Sequence, residues 1–280
     1  MKKISFGTMV IRFFMVLWSL IIIVPFAQLF LTSIKNNEEF YAGLWTLPTR
    51  PIQNAIENFS SAWRDANMGV GIFNAVIICG LSLILTLTLS SMVSYAIARR
   101  HLRHENKLSN LYLIGLLVPA MVGLTPMFIM ARFIGLFNTR TILVLLYTAT
   151  QIPFSVFLMT AFFRSIPHEL EEASYIDGAS PWRTFTSIIL PLARPAIVTA
   201  GIFAFLDFWS EYMYGLMFLT DKNKVTVAMS ILQFKTGNGV RMNWGVTSAA
   251  CVIFIAPILL LYCLFQKKIV GGLTVGSVKG

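Results

Sequence analysis

The sequence predicts an all-α integral membrane protein with six transmembrane helices and a short helical hairpin between the fourth and fifth. Three observations predict it. The first is composition: of 280 residues, 56% are hydrophobic and only 12% charged, and the mean hydropathy is +0.73. A water-surrounded core of this size cannot absorb 23 Phe, 13 Met and 6 Trp, whereas a chain solvated by lipid needs an apolar exterior as well as an interior. The second is a series of uncharged runs, each reaching the roughly 20 residues that carry a helix across a 30 Å hydrocarbon layer. The third is one polar interior segment punctuated by helix start and stop signals.

The spans follow in order. Residues 11–34 open with the uncharged run from Phe13 to Ile34, too long for the apolar region of a signal peptide and followed by no small-x-small cleavage site, so it reads as a retained anchor. Residues 35–68 contain "LWTLPTRP" and "ENFSSAW", whose prolines oppose long regular elements and whose tryptophans suit a membrane interface. Further spans are expected over 70–98, 109–131, 141–163, 195–219 and 246–266. Pro119, Pro126 and Pro153, with Gly115 and Gly123, are expected to interrupt the third and fourth spans. The fifth carries two acids, Asp207 and Glu211. Residues 267–280, with Gly271, Gly272, Gly276 and Gly280, read as a flexible tail. Residues 1–280 read as a single transmembrane domain.

Orientation comes from charge. The formal net charge is +10, and thirteen of the 22 Lys and Arg fall on the side that holds both termini, the second loop and the fourth loop. By the positive-inside rule that side is cytoplasmic, with "ARRHLRHENK" directly after a span as its strongest local witness. The basic balance therefore orients the protein and is not a nucleic-acid footprint, because no basic element interleaved with aromatics occurs. Cys79, Cys251 and Cys263 lie in apolar runs and read as packing. His101 and His104 sit among Arg99, Arg100, Arg103 and Lys107, a field hostile to a metal ion.

The cytoplasmic segment 164–194 carries most information. In "SIPHELEEASYIDGASPW", Pro167 can open a helix, Glu169, Glu171 and Glu172 place negative charge at its positive end, and Gly178 can close it in the left-handed conformation. Ser180 and Pro181 then cap and start a second helix, which Pro191 and Pro195 discourage from continuing. Leu170, Ala173 and Ile176 recur every three residues as the expected packing positions beside an acidic face formed by Glu169, Glu171, Glu172 and Asp177.

The run Glu172, Ala173, Ser174, three residues, Gly178, nine residues, then Ile188, Ile189, Leu190 and Pro191 resembles the E-A-A-x3-G-x9-I-x-L-P signature of inner-membrane subunits of binding-protein-dependent ABC importers; Ser174 replaces the second alanine. The segments "FNAVIICG", "SYAIARR", "FWSEYMYGLMFL" and "QKKIVGGLTVGSVKG" are similar to the carbohydrate branch, of the maltose-permease type, and the likeness covers nearly the whole chain. The resemblance implies a type I ABC importer permease fold. It also implies that Glu172, Ala173, Ser174, Asp177, Gly178, Ile188, Leu190 and Pro191 form the coupling site for the ATPase. Its implied partners are a homologous second permease subunit, two cytoplasmic ATPase subunits that bind ATP and Mg, an extracytoplasmic solute-binding protein facing 220–244, and a carbohydrate substrate. A heterodimer is expected, although a homodimer satisfies the same requirement. Its implied location is a bacterial or archaeal plasma membrane. This chain has no Walker A motif, since Gly271 to Gly276 is followed by Ser277 and Val278, so ATP hydrolysis is assigned to another polypeptide.

Asp207 and Glu211 are four residues apart and share a helix face with Tyr214 near by, which marks a candidate polar wall of the substrate path. Each acid alone also fits a structural role, Glu211 capping a loop and Asp207 held by a neighbouring helix. On side-chain chemistry, Asn74, Tyr147, Gln151, Trp209 and Tyr214 complete the candidate path. No G-x-S-x-G or H-E-x-x-H occurs, which disfavours a membrane enzyme. The remaining alternative is a gradient-driven secondary transporter or channel subunit.

Overall fold

The computed structural model describes residues 6–99, 105–237 and 242–275. His101 and His104, and residues 276–280 of the expected tail, lie outside the described residues. The described elements are helical: α1 (Phe6–Ser33), α2 (Asn37–Ala42), α3 (Pro51–Arg64), α4 (Met68–Arg99), α5 (Glu105–Leu117), a 3-10 turn (Ala120–Gly123), α6 (Leu124–Phe133), α7 (Arg140–Ser165), α8 (Glu169–Ile176), α9 (Pro181–Thr184), a π turn (Phe185–Ile189), α10 (Leu190–Leu192), α11 (Arg194–Ser210), α12 (Met213–Phe218), α13 (Val227–Gly237) and α14 (Trp244–Val275). Among the described residues, four helices are long and apolar enough to cross a bilayer, within α1, α4, α7 and α14, and two sharply bent helix pairs raise the number to six if each pair is one span.

The bends are where the structure departs from continuous spans. The run expected over 109–131 divides at Pro119, which is extended (φ −61, ψ 123), and the helices on either side meet at 84°. Pro119 has no N–H to continue a helix and disfavours helical geometry in Val118. Pro153, by contrast, does not interrupt α7. Its ring packs against Gly115 of α5, where an added Cβ would sit 3.2 Å from Cγ. The fifth expected span, 195–219, also divides: α11 ends at Ser210, Glu211 is extended (ψ 127), and α12 restarts at Met213.

The chain forms two compact units. One comprises the residues up to Gly69 with Ser230–Pro257. Here α1 ends against a hydrogen-bonded cap. The fully buried Lys35 donates through Nζ to the carbonyls of Gly43 and Leu44, both at 3.0 Å, and to Thr46 Oγ1 at 3.2 Å. Asn36 and Glu39 form a reciprocal capping box at the start of α2. The Glu39 carboxylate also accepts from the Thr49 hydroxyl (2.5 Å), the Thr49 N–H (2.7 Å) and Asn54 (2.8 Å). These bonds, the Thr49 hydroxyl foremost, hold its carboxyl below the usual carboxylate range. Asn58 donates to the carbonyls of Ser33 (2.9 Å) and Lys35 (2.8 Å), and Gly245 approaches the same Lys35 carbonyl so closely that a Cβ would collide with it.

The other unit comprises Val70–Met229 with the chain from Ile258. Its core joins α4, α7, the π turn and α11 through Tyr95, Met159, Phe163, Ile166, Phe185, Ile189, Ala193 and Ala200. Tyr95 of α4 packs on Phe163 (6.3 Å between ring centroids) and Phe185 (4.8 Å), so the hairpin is seated on the ends of two long helices.

Candidate functional site

The hairpin from α8 to α10 is built by its caps. Gly178 is left-handed (φ +76), its N–H donates to the Tyr175 carbonyl (3.0 Å), and the Ala179 N–H reaches back to Ser174 (2.9 Å). This double bond pattern is a Schellman closure. Ser180 then accepts from the Arg183 N–H at 3.3 Å, and Pro181 begins α9. Pro191 does not end the second helix as its chemistry leads one to expect. The Leu190 N–H bonds five residues back to Phe185, and this wider π turn makes room for a ring that would otherwise strike the carbonyl four residues before it. The chain continues to Leu192, bends by 73° at Ala193 and enters α11.

The buried face of α8 differs from the expected one. Leu170, Ala173 and Ile176 are exposed, Ile176 by 87%, while Glu171 and Ser174 are the buried pair. Glu171 therefore leaves the expected acidic docking face. Its carboxylate lies 3.4 Å from Arg99 Nε at the end of α4, both side chains being almost fully buried, close enough for strong attraction though without hydrogen-bond geometry. Arg99 also donates to the Ile166 carbonyl at the end of α7. Ser174, the departure from the family's alanine, places its hydroxyl 2.8 Å from Thr184 Oγ1 and ties α8 to α9. Ile188 and Leu190 pack on the core cluster beside buried Ile189, and Pro191 is half-buried. What remains outward on α8 is Glu169, Leu170, Glu172, Ala173, Tyr175 and Ile176.

The polar candidates separate into two groups. Tyr147 of α7 donates to Glu211 at 3.0 Å, and the same carboxylate accepts from the N–H groups of Tyr214 (2.7 Å) and Gly215 (3.4 Å). Glu211 thus stabilises the break between α11 and α12 by replacing backbone bonds that a continuous helix would make. Phe208 stacks on Tyr147 with centroids 5.2 Å apart, and Tyr214 lies 6.3 Å away. One turn along α7, Gln151 lies beside Asp207, whose residue is exposed on α11. Trp209 is buried and stacked on Phe205 at 5.5 Å.

Asn74 lies apart from this group. Its amide donates to the carbonyls of Asn223 and Val225, both at 2.9 Å, and its oxygen accepts from Arg140 Nε at 2.8 Å. Every strong bonding group of its side chain is used to shape the 219–227 turn. Asn138, left-handed at φ 59, completes that turn by accepting from the Thr220 and Asp221 N–H groups at 3.0 and 3.1 Å. Within it, the Asn223 N–H, with Lys224 alongside, holds the Asp221 carboxyl below its usual range. Arg99, Asn138 and Arg140 carry no local signal in the sequence, since their partners are at least 66 residues distant or arise from a turn. Glu171 and Ser174 did carry one, an i, i+3 spacing that puts both on one face.

Residues 91–274 match the family described as "Binding-protein-dependent transport system inner membrane component". The chain is 34% identical over 265 residues to the diacetylchitobiose uptake system permease protein NgcG of Streptomyces coelicolor, covering 95% of this chain and 87% of that one. It is 31% identical to the melibiose/raffinose/stachyose import permease protein MelC of Bacillus subtilis, covering 92% and 91%. In fold it is similar to a chain of a bacterial ABC transporter involved in import of the acidic polysaccharide alginate, with a TM-score of 0.84 at 20% identity over 95% of this chain and 99% of that chain.

Proposed function

This chain belongs to the binding-protein-dependent transport system inner membrane components, and from that membership we propose that it forms half of the path by which a sugar or oligosaccharide enters the cell, driven by a separate ATPase. It is a permease subunit of an ABC importer with the type I fold, not the ATP-hydrolysing subunit. Its carbohydrate cargo is supported by the names of NgcG and MelC. A heterodimer with a homologous permease, two ATPases binding ATP and Mg, and an extracytoplasmic binding protein complete the proposed assembly. Both termini are placed in the cytoplasm on the Lys and Arg distribution.

One observation carries the coupling role: α8 buries Glu171 and Ser174 against its own chain and turns Leu170, Ala173 and Ile176 outward. A short helix gains nothing from such an inversion unless something else covers Ile176 and Ala173. The occupant is the cleft of the ATPase subunit, with Glu172 as a polar contact at its edge. Movement of the docked helix then passes to α4 through Arg99, to α7 through the Tyr95–Phe163–Phe185 cluster, and to α11 through the bend at Ala193. At the far end of α11 the Glu211 break stands beside Tyr147, where a change in tilt alters the polar wall formed with Gln151 and Asp207.

Site-directed crosslinking tests this reading in the assembled transporter. A cysteine at Ile176 should crosslink to the ATPase subunit, and one at buried Ser174 should not. Equal labelling of Ile176→Cys by a water-soluble maleimide with and without the ATPase would overturn the assignment.

A further inference from the structure

α3 has three distinct faces. Ile52, Ile56, Phe59 and Trp63 recur at i, i+4, i+7 and i+11, within about 60° of arc at roughly 100° per residue. Ile52 is 77% exposed, Ile56 66% and Trp63 53%. Gln53, Glu57, Ser60 and Arg64 form an adjoining exposed polar face. The third face is buried, and it is polar: Asn54 and Asn58 bond to the Ile34, Ser33 and Lys35 carbonyls at the end of α1, with buried Ala62 beyond them. The hydrophobic side of this helix is therefore not what holds it to the protein.

Two contacts fix where the apolar stripe lies. Asn58 pins the middle of α3 to the last turn of α1, a helix long and apolar enough to cross a bilayer. At the other end, Trp63 lies over Gly69 in the first turn of α4, where an added Cβ would sit 3.0 Å from the indole. Only Asp65, Ala66 and Asn67 separate α3 from α4, and Asn67 turns the chain with a positive φ of 54. The helix that carries the stripe is thus held at the last turn of α1, and Trp63 at the end of the stripe packs on Gly69, where α4 begins.

We propose that α3 lies along the bilayer surface, with Ile52, Ile56, Phe59 and Trp63 in the boundary between headgroups and acyl chains. The three faces match the three neighbours of such a helix: lipid below, water above and protein beside it. Arg50 and Arg64, exposed at its two ends, can keep their guanidinium groups among the phosphates while their stems lie on apolar surface. A docking site for another protein chain fits less well, because the stripe is one residue wide and bounded on its open side by charged and amide side chains. Anchored in this way, α3 fixes the depth of the first turn of α4 and of the cap around Lys35.

Spin labels at Ile52→Cys, Gln53→Cys, Ile56→Cys and Glu57→Cys test the placement in the complete transporter, reconstituted in vesicles of phosphatidylethanolamine and phosphatidylglycerol. All four sites are exposed, so the substitutions leave the Asn54 and Asn58 bonds untouched. Labels at 52 and 56 should be several-fold more accessible to oxygen than to a water-soluble nickel chelate, with the ratio reversed at 53 and 57. High chelate accessibility at all four sites would overturn the proposal, placing the stripe in water. Low accessibility of 52 and 56 to both reagents would also overturn it, because a protein partner would then cover the stripe.

Discussion

Replacing Arg99 by Met leaves Glu171 almost fully buried without a counter-charge. The pair is 3.4 Å apart with side-chain exposures of 0% and 7%, a separation worth about 5 kcal/mol of attraction at an effective dielectric of about 20. Desolvation offsets much of that in the intact protein. Once one partner is gone, however, only the desolvation remains, and such single deletions cost about 3–5 kcal/mol. Replacing Glu171 by Met as well removes the stranded charge. What is left is the Ile166 carbonyl that Arg99 had satisfied, worth about 1–3 kcal/mol. The double variant should therefore be more stable than Arg99→Met alone by about 2 kcal/mol. Denaturant unfolding in detergent micelles, with limited proteolysis of residues 164–194 as the local reporter, measures both. A single variant costing less than about 1 kcal/mol, or a double variant no better than the single, would refute the idea that this ion pair fastens the hairpin to α4.

Gly178 has open space around its missing side chain and a positive φ, so any penalty for substitution is conformational and not steric. Gly178→Val should cost about 1–2 kcal/mol of hairpin stability and slow ATP-driven uptake in proteoliposomes, whereas Gly178→Asn should stay near the parent rate; equal behaviour of the two would contradict this. Glu211→Ala and Tyr147→Phe should show a coupling energy of about 1 kcal/mol or more in a double-mutant cycle of stability, and simple additivity would mean that their 3.0 Å bond contributes nothing. Glu39 has a folded-state pKa below its ordinary 4.5, so its stabilisation of the cap around α2 is complete above that value and fades as pH falls through the lower, folded value. Hydrogen exchange of residues 36–54 should therefore accelerate under strongly acidic conditions in the parent and lose that pH dependence in Glu39→Gln.

Much of the local geometry was legible because it depends on near neighbours in the chain. Gly178 announces the left-handed closure of α8, Ser180–Pro181 announces the start of α9, and uncharged runs announce the long helices. The unread parts depend on distant partners. Nothing within a helical turn of Glu171 shows that Arg99, 72 residues earlier, will draw it inward and leave Ile176 outside. The break in the fifth span was hidden for a related reason: its signal is not a proline but the Glu211 carboxylate, which competes for N–H groups that a helix would otherwise use. Asn74 illustrates the limit of chemical type as a guide. An amide suits sugar recognition, yet here both of its ends are occupied by the chain's own backbone and by Arg140.

This chain conducts an import powered by ATP hydrolysis in a partner subunit. Reconstitution of the complete complex in proteoliposomes, with labelled oligosaccharide, its binding protein and ATP on the proper faces, tests it most directly. Uptake should require hydrolysable ATP and stop with vanadate, while dissipating ion gradients should leave it unchanged. Uptake that proceeds without ATP and collapses with the ion gradient would contradict the claim.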